Sequence, residues 1–394
     1  MSSTCILHVI DTLDPAAGGP PVVVTRLAAA QAALGCPVQI AAYGVGESKR
    51  RALGLLEQTP GYDRVEVIWL GELSKYERFS ASHASSVLTP LISDRIDVVH
   101  LHGMWEMLLP VVAGIARGSD TPYVLAPHGM LDPVVFDIRR WKKRIALSTT
   151  HRKLVPHASC VHMLNKDEAD LARPILGAAR TRVIPNGIFE SEFANLPPRG
   201  AFRQRHPALG DDPMVLFLSR LQYKKGLDYL VDAFEHVLDR VPSSRLVIAG
   251  PDGGELGKTQ QRVSAAGIQE RVHFVGPVYG VEKLEALRDA DVFCLPSRQE
   301  GFSIAISEAM AIGLPVVVSR ACHFPEVSQV NAGIETELDA GEVGDAVVRV
   351  LSDPKLAADM GRAGAALIRE RFTWERVAAR SLEVYAECIG NESQ

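Results

Sequence analysis

Two glutamates, Glu300 and Glu308, stand in the run Q-E-G-F-S-I-A-I-S-E-A-M-A-I-G-L-P-V-V between two short apolar stretches. Residues 292–295 are apolar throughout and end in Pro296-Ser297, which predicts a buried strand. Residues 304–312 predict a helix whose first turn follows Gly301-Phe302-Ser303, and residues 316–319 the next strand. The first N–H groups of a helix have no partner within it and the dipole there is positive, so the start at Phe302-Ser303 suits a phosphate. Glu300 falls just before this helix and Glu308 about two turns into it, so each can take hydroxyls from a different part of a long ligand. The alternative is two solvated helix-face charges.

Other stretches combine chemistry with the same strand–loop–helix setting. Ser219-Arg220-Leu221-Gln222-Tyr223-Lys224-Lys225-Gly226 joins a predicted strand (213–218) to a helix (227–238), and its cations are placed to grip a diphosphate; a solvated basic loop is the alternative. Gly18-Gly19-Pro20 lies between a strand (5–10) and a helix (22–34), where glycine allows close backbone approach to a bulky group or merely a tight connection. His102 ends the strand 97–101 with Trp105 just beyond it, and His128-Gly129 follows the strand 123–126. An isolated histidine at such a place is often structural. Asp289-Ala290-Asp291 spells D-x-D, but at a helix end and strand start, where aspartate is an ordinary cap; it is rejected as a metal site.

Apolar strands alternating with helical stretches predict parallel α/β sheets with ligand sites beyond the carboxyl ends of the strands. A chain of 394 residues is long for one core, and two domains are expected. A formal net charge of -5 gives no global attraction to nucleic acid. The six cysteines are scattered without a C-x-x-C pair, which fits reduced thiols in a cytoplasmic protein, and no run reaches the ~18 apolar residues of a membrane span. The start lacks the basic and long apolar regions of a signal peptide. Between Arg139 and Lys166 there are cations but no Asp or Glu, and Trp141 sits within R-R-W-K-K-R. That stretch is either a solvated helix face or a dock for an anionic acceptor or membrane surface through 139–153.

The E-x7-E arrangement with E-G-F at its head and E-A-M-A-I-G-L-P-V-V at its tail resembles the signature of retaining glycosyltransferases of family 4, which have the GT-B fold. S-R-L…K-G at 219–226 is a second match, H-G at 128–129 and the Gly-Gly loop are looser ones, and P-N-G at 185–187 is similar to the family's interdomain element. The resemblance implies two doubly wound, Rossmann-like domains facing across a cleft: residues 1–187 on the acceptor side, 188–371 binding the nucleotide sugar, and a helix over 372–394 returning to the first domain. It implies His128 and Glu300 as catalytic residues that orient the sugar. Gly18, Gly19, Arg220, Lys225, Phe302, Ser303 and Glu308 then bind the donor, and His102 and Trp105 lie on the acceptor side. It also implies sugar transfer with retention from a nucleotide-diphosphate sugar to a glycan or polyprenyl-diphosphate-linked acceptor, without metal or cofactor, as in bacterial exopolysaccharide or lipopolysaccharide assembly. A sugar-nucleotide epimerase on the same fold and a non-catalytic sugar-nucleotide sensor are the alternatives.

Overall fold

Unbroken apolar strands need cover on both faces, and parallel strands joined by crossover helices provide it. The computed structural model describes residues 4–133, 136 and 140–392. Its strands are β1 (Ile6–Thr12), β2 (Val38–Tyr43), β3 (Val65–Trp69), β4 (Val98–His102), β5 (Tyr123–Ala126), β6 (Cys160–Met163), β7 (Thr181–Val183), β8 (Met214–Leu218), β9 (Arg245–Ala249), β10 (Val272–Gly276), β11 (Val292–Leu295), β12 (Val316–Ser319) and β13 (Gly333–Thr336). The first seven form a sheet in the order β3-β2-β1-β4-β5-β6-β7, and the other six a sheet in the order β10-β9-β8-β11-β12-β13. The strand pairings are parallel. The central strands β4, β8 and β11 are buried along their whole length. In each sheet the order reverses once, between β1 and β4 and between β8 and β11. Loops leaving such neighbours diverge at the carboxyl edge and open a crevice there.

The chain divides into two units, Met1–Asn186 with Trp374–Gln394, and Gly187–Thr373. The first crossing falls within the Pro185-Asn186-Gly187 turn. At the second, Phe372 and Thr373 stay with the second unit, two residues past the boundary read from the sequence. Phe372 packs on Phe302 and Phe324, with ring centroids 6.0 and 5.1 Å away, and its carbonyl accepts from the Ile188 amide at 2.9 Å. Trp374, fully buried, opens the helix Trp374–Glu392 of the first unit. That helix meets Gly19–Ala33 through Gln31, whose Nε2 donates to Ser381 Oγ at 2.8 Å and to Tyr385 OH at 3.1 Å.

In the second unit the helix Pro354–Arg371 runs so close to the turn after Ile304–Ala311 that a Cβ added to Gly361 would lie 2.0 Å from the Gly313 carbonyl oxygen. Backbone meets backbone there, so a methyl group has nowhere to go. Gly361→Ala is expected to cost about 1–3 kcal/mol, the range for overpacking. Urea unfolding followed by circular dichroism reads it, and an unchanged midpoint would refute this account of the contact.

Candidate functional site

At the carboxyl edge of the second sheet, β8 hands the chain to Ser219–Gly226 and β11 to Pro296–Ser303, neighbours in the sheet although far apart in sequence. Lys225 Nζ donates to Glu300 Oε1 at 2.6 Å, and Ser297 Oγ donates to the same oxygen at 2.5 Å. Both charged side chains are largely withdrawn from water, 12% and 6% exposed. Arg298 fastens the two loops together. Its guanidinium donates to both Asp228 oxygens at 2.8 and 2.5 Å and lies 4.1 Å from the Tyr223 ring centroid. Gly226 turns the chain with φ +68°, and a Cβ there would fall 1.8 Å from the Pro296 carbonyl oxygen, so only glycine lets the loops approach this closely. Beneath them Ser319 Oγ donates to Ser297 O at 2.5 Å, and burial, with Glu300 adding, pushes the Cys322 thiol up to about 12.

The helix Ile304–Ala311 begins at Ser303, which makes no side-chain cap, so its first amides keep their capacity for an outside acceptor. Ser303 is buried at that point. The Phe302 side chain packs at 5.3 Å from Phe324 and so supports the turn, leaving the backbone as the part able to face an anion. Glu308 is buried and its Oε1 accepts from Lys283 Nζ at 2.7 Å. Arg220 is exposed at the same edge, with no ion pair among the described residues. Asp289 accepts from the Gly200 and Arg203 amides at 2.5 and 3.0 Å, and Asp291 from Arg199 and the Met214 amide at 2.6 and 2.8 Å. The D-x-D letters therefore tie the start of this unit to its sheet.

The first unit carries a different chemistry. His102 Nε2 and His8 Nδ1 are 2.8 Å apart, His102 Nδ1 and His128 Nε2 2.9 Å, and His8 Nε2 meets Gln31 Oε1 at 2.7 Å. His100 joins through Tyr385 at 2.6 Å and His162 at 3.2 Å, and His162 Nε2 donates to Ile184 O at 2.7 Å. His8, His100 and His102 bring one nitrogen each within 4.8 Å of one another, a spacing open to a metal ion. Those nitrogens already serve hydrogen bonds in this chain. His102, expected on the acceptor side, is buried, with both ring nitrogens taken by other imidazoles. His128 is only half buried and has the left-handed φ of +52°, held where the Gly129 amide donates to Glu168 Oε1 at 2.6 Å.

Trp105 lines a cavity of about 380 Å³ with Asp11, Tyr43, Glu77, Arg78 and Glu106. Burial, with Glu106 adding, pushes the Asp11 carboxyl up to about 6. Gly18 caps the helix Gly19–Ala33 with φ +118°. This helix starts before the predicted position, and Pro20 and Pro21 fall in its first turn. Proline has no N–H, so an anion would find the Gly19 amide but neither of the next two.

Residues 18–187 match the family described as Glycosyl transferase 4-like domain, and residues 198–366 that described as Glycosyl transferases group 1. Over 332 residues the chain is 30% identical to a phosphatidyl-myo-inositol mannosyltransferase of Mycobacterium leprae, spanning 78% of each chain. This chain belongs to glycosyltransferase family 4. A D-inositol 3-phosphate glycosyltransferase of Xylanimonas cellulosilytica is 32% identical over 309 residues, 75% of this chain and 68% of that one. The GT-B fold is shared with sucrose-phosphate synthase from Thermosynechococcus elongatus, TM-score 0.76 at 23% identity over 98% of this chain and 100% of that one. It is also shared with Anabaena HepE solved with UDP, TM-score 0.77 at 21% identity over 98% and 100%.

Within the units of this family 4 glycosyltransferase, the predicted residues fall into groups. Lys225 and Glu300 touch, Phe302 and Ser303 follow Glu300 closely in sequence, Glu308 has its own partner in Lys283, and His102 touches His128. Sequence reasoning missed Ser297, Lys283 and Arg298 in the second unit and His8, Gln31, His100, His162, Glu168 and Tyr385 in the first. One signal was present: His100 and His102 are two apart in a strand and so share a face.

Burial pushes His8 and His162 down to about 4 and His100 and His102 well below the ordinary histidine range. Because their folded values are depressed, the native chain refuses protons that the unfolded chain takes up below pH ~6.5. Stability must therefore fall with pH from about 6.5 toward 4, each such ring contributing up to about 1.4 kcal/mol per pH unit. Urea midpoints measured from pH 7.5 to 5 are expected to drop steadily; a flat profile would mean the rings protonate in place.

Proposed function

We propose that this glycosyltransferase moves a sugar, with retention of anomeric configuration and without a metal ion, from a nucleotide-diphosphate sugar to a hydroxyl of a glycan or polyprenyl-diphosphate-linked acceptor. The reading rests above all on the Lys225–Glu300–Ser297 cluster beside the uncapped start of the helix Ile304–Ala311. A buried carboxylate held by a cation and a hydroxyl is pre-aimed, and its remaining lone pairs suit the hydroxyls of a sugar. Lys225, exposed Arg220 and the backbone at Phe302-Ser303 supply positive charge to a departing diphosphate, which is the work a metal would otherwise do. Glu308 takes ribose hydroxyls. In the first unit Gly18 and Gly19 leave open backbone for the diphosphate, His128 meets the transferred sugar, and the cavity beside Trp105 takes the acceptor.

In the reaction the bond from the anomeric carbon to the phosphate oxygen breaks, leaving an oxocarbenium-like sugar. The acceptor hydroxyl oxygen bonds to that carbon from the same face, and its proton passes to the departing phosphate oxygen. No protein nucleophile is needed. HepE, of the same fold, was solved with UDP, which supports a nucleoside diphosphate as leaving group. Assembly of a bacterial exopolysaccharide or lipopolysaccharide is the setting proposed, with the protein working in the cytoplasm.

Nucleotide release from a panel of UDP-, GDP- and ADP-sugars, with mass analysis of the sugar, tests the assignment. One donor is expected to be slowly hydrolysed by wild type. Lys225→Ala and Glu300→Ala are each expected to lower that rate about 10²–10³-fold, as for loss of a group that stabilises transition-state charge. Return of a donor as its isomer with the nucleotide attached would establish an epimerase instead, and binding without turnover in the presence of glycan acceptors a sensor.

For the basic stretch we propose contact with an anionic membrane surface. Arg139 lies outside the described residues. The helix Arg140–Ser148 presents Trp141 and Ile145, 64% and 54% exposed, one turn apart among Arg140, Lys142, Lys143 and Arg144. No described helix is long and apolar enough to cross a membrane. Sedimentation with phosphatidylglycerol vesicles at low salt is expected to carry down wild type and to lose Trp141→Ala with Lys142→Ala; equal recovery of both would overturn the contact.

A further inference from the structure

The imidazole chain of the first unit ends on backbone carbonyls, and these fix its protons one after another. Ile184 O can only accept, so His162 Nε2 carries a hydrogen at 2.7 Å. A neutral ring then accepts at Nδ1, and His100 Nε2 donates to it at 3.2 Å. His100 Nδ1 is left to accept from Tyr385 OH at 2.6 Å. At the other end Ser381 Oγ donates to Ala378 O at 2.7 Å, so its lone pair can take only an N–H, which Gln31 Nε2 supplies at 2.8 Å. The second hydrogen of that amide goes to the Tyr385 oxygen at 3.1 Å. Gln31 is thereby oriented by its partners, and its Oε1 faces His8.

From Gln31 the order runs outward. His8 Nε2–H donates to Gln31 Oε1 at 2.7 Å, His102 Nε2–H to His8 Nδ1 at 2.8 Å, and His128 Nε2–H to His102 Nδ1 at 2.9 Å. Reversing one bond would set two hydrogens or two lone pairs against each other. Burial keeps all these rings neutral, with His128 itself pushed down to about 3. One nitrogen is left over: His128 Nδ1 has no partner among the described residues, on a half-buried ring whose backbone is pinned through Gly129 and Glu168.

We propose that Gln31, clamped by Ser381 and Tyr385, is a positioning residue that locks His128 as the Nε2–H tautomer, so that Nδ1 is a standing acceptor selecting a hydroxyl of the bound sugar. A hydroxyl can donate to that lone pair; a carboxylate or phosphate oxygen cannot and is repelled by it. The sugar class at this point is therefore neutral and hydroxylated, and a uronic acid carboxylate is disfavoured there. The ligand half of the proposal rests on the glycosyltransferase reading, whereas the proton positions do not.

Nitrogen-15 NMR of histidine-labelled protein tests it, with the His128 signals assigned by their loss in His128→Gln. Wild type at pH 7.5 is expected to show His128 Nδ1 as an unprotonated nitrogen and Nε2 as a protonated one. Gln31→Leu removes the acceptor that sets the direction, and His128 is expected to move to an average of both tautomers. A wild-type His128 protonated at Nδ1 would overturn the proposal, and so would a Gln31→Leu spectrum unchanged at that ring. The wild-type spectrum needs no variant to fold and no turnover, so failure of every nucleotide sugar as a donor would remove the function while leaving the tautomer result standing. With a donor that does turn over, saturation is expected to shift Nδ1 as it accepts the hydroxyl, and an unmoved Nδ1 would remove the ligand half alone.

Discussion

A parallel strand can pass the chain to its neighbour only by crossing a whole face of the sheet, and this return path governs the rest of the molecule. All strands then point one way, their carboxyl ends share an edge, and residues far apart in sequence are delivered to adjacent loops. Lys225 leaves β8 and Glu300 leaves β11, neighbours at the point where the strand order reverses. The Gly18-Gly19 loop follows β1 and His102 closes β4, at the corresponding reversal in the other sheet. The same topology thus generates such an edge twice, and the side chains placed there decide what each edge can do.

The two edges are electrostatically unlike. In the second unit the buried Glu300 carboxylate pairs with Lys225, Glu308 with Lys283, and Arg298 with Asp228. Lys225 and Glu300 are the most withdrawn from water of these, so breaking that pair leaves a charge without compensation in a poorly hydrated place, and the contact holds its two loops in register more firmly than an exposed pair would. In the first unit burial strips the charge from a run of imidazoles and leaves directional hydrogen bonds in its place. Charge suits a departing diphosphate; neutral, oriented dipoles suit hydroxyls.

Much of this was legible beforehand where local sequence decides the outcome. Residues 123–126 and 292–295 are strands with the bounds read from their apolar runs, and the turn at 185–187 marks a change of unit. Glu300 and Lys225 were named from motif spacing and the family resemblance, yet nothing local says that they touch, because the contact is made by strand order. The Gly19–Ala33 helix begins three residues earlier than read, with Pro20 and Pro21 both inside its first turn, where proline is well tolerated. The burial of His102 was not legible for a related reason. A histidine at a strand end can face the edge or the sheet interior, and only the positions of His8, His100 and His128 settle which. Gln31 carries no motif at all; inside a largely apolar helix it signals only that partners must exist, and two of them, Ser381 and Tyr385, are more than three hundred residues away.

That separation has a consequence for the order in which the molecule is made. The second unit, Gly187–Thr373, is continuous, whereas the first is completed by Trp374–Gln394. While the chain is still emerging from a ribosome, Gln31 and His100 stand without Ser381 and Tyr385. The unit whose translation begins first therefore lacks the helix Trp374–Glu392 until its neighbour has had all its residues in hand.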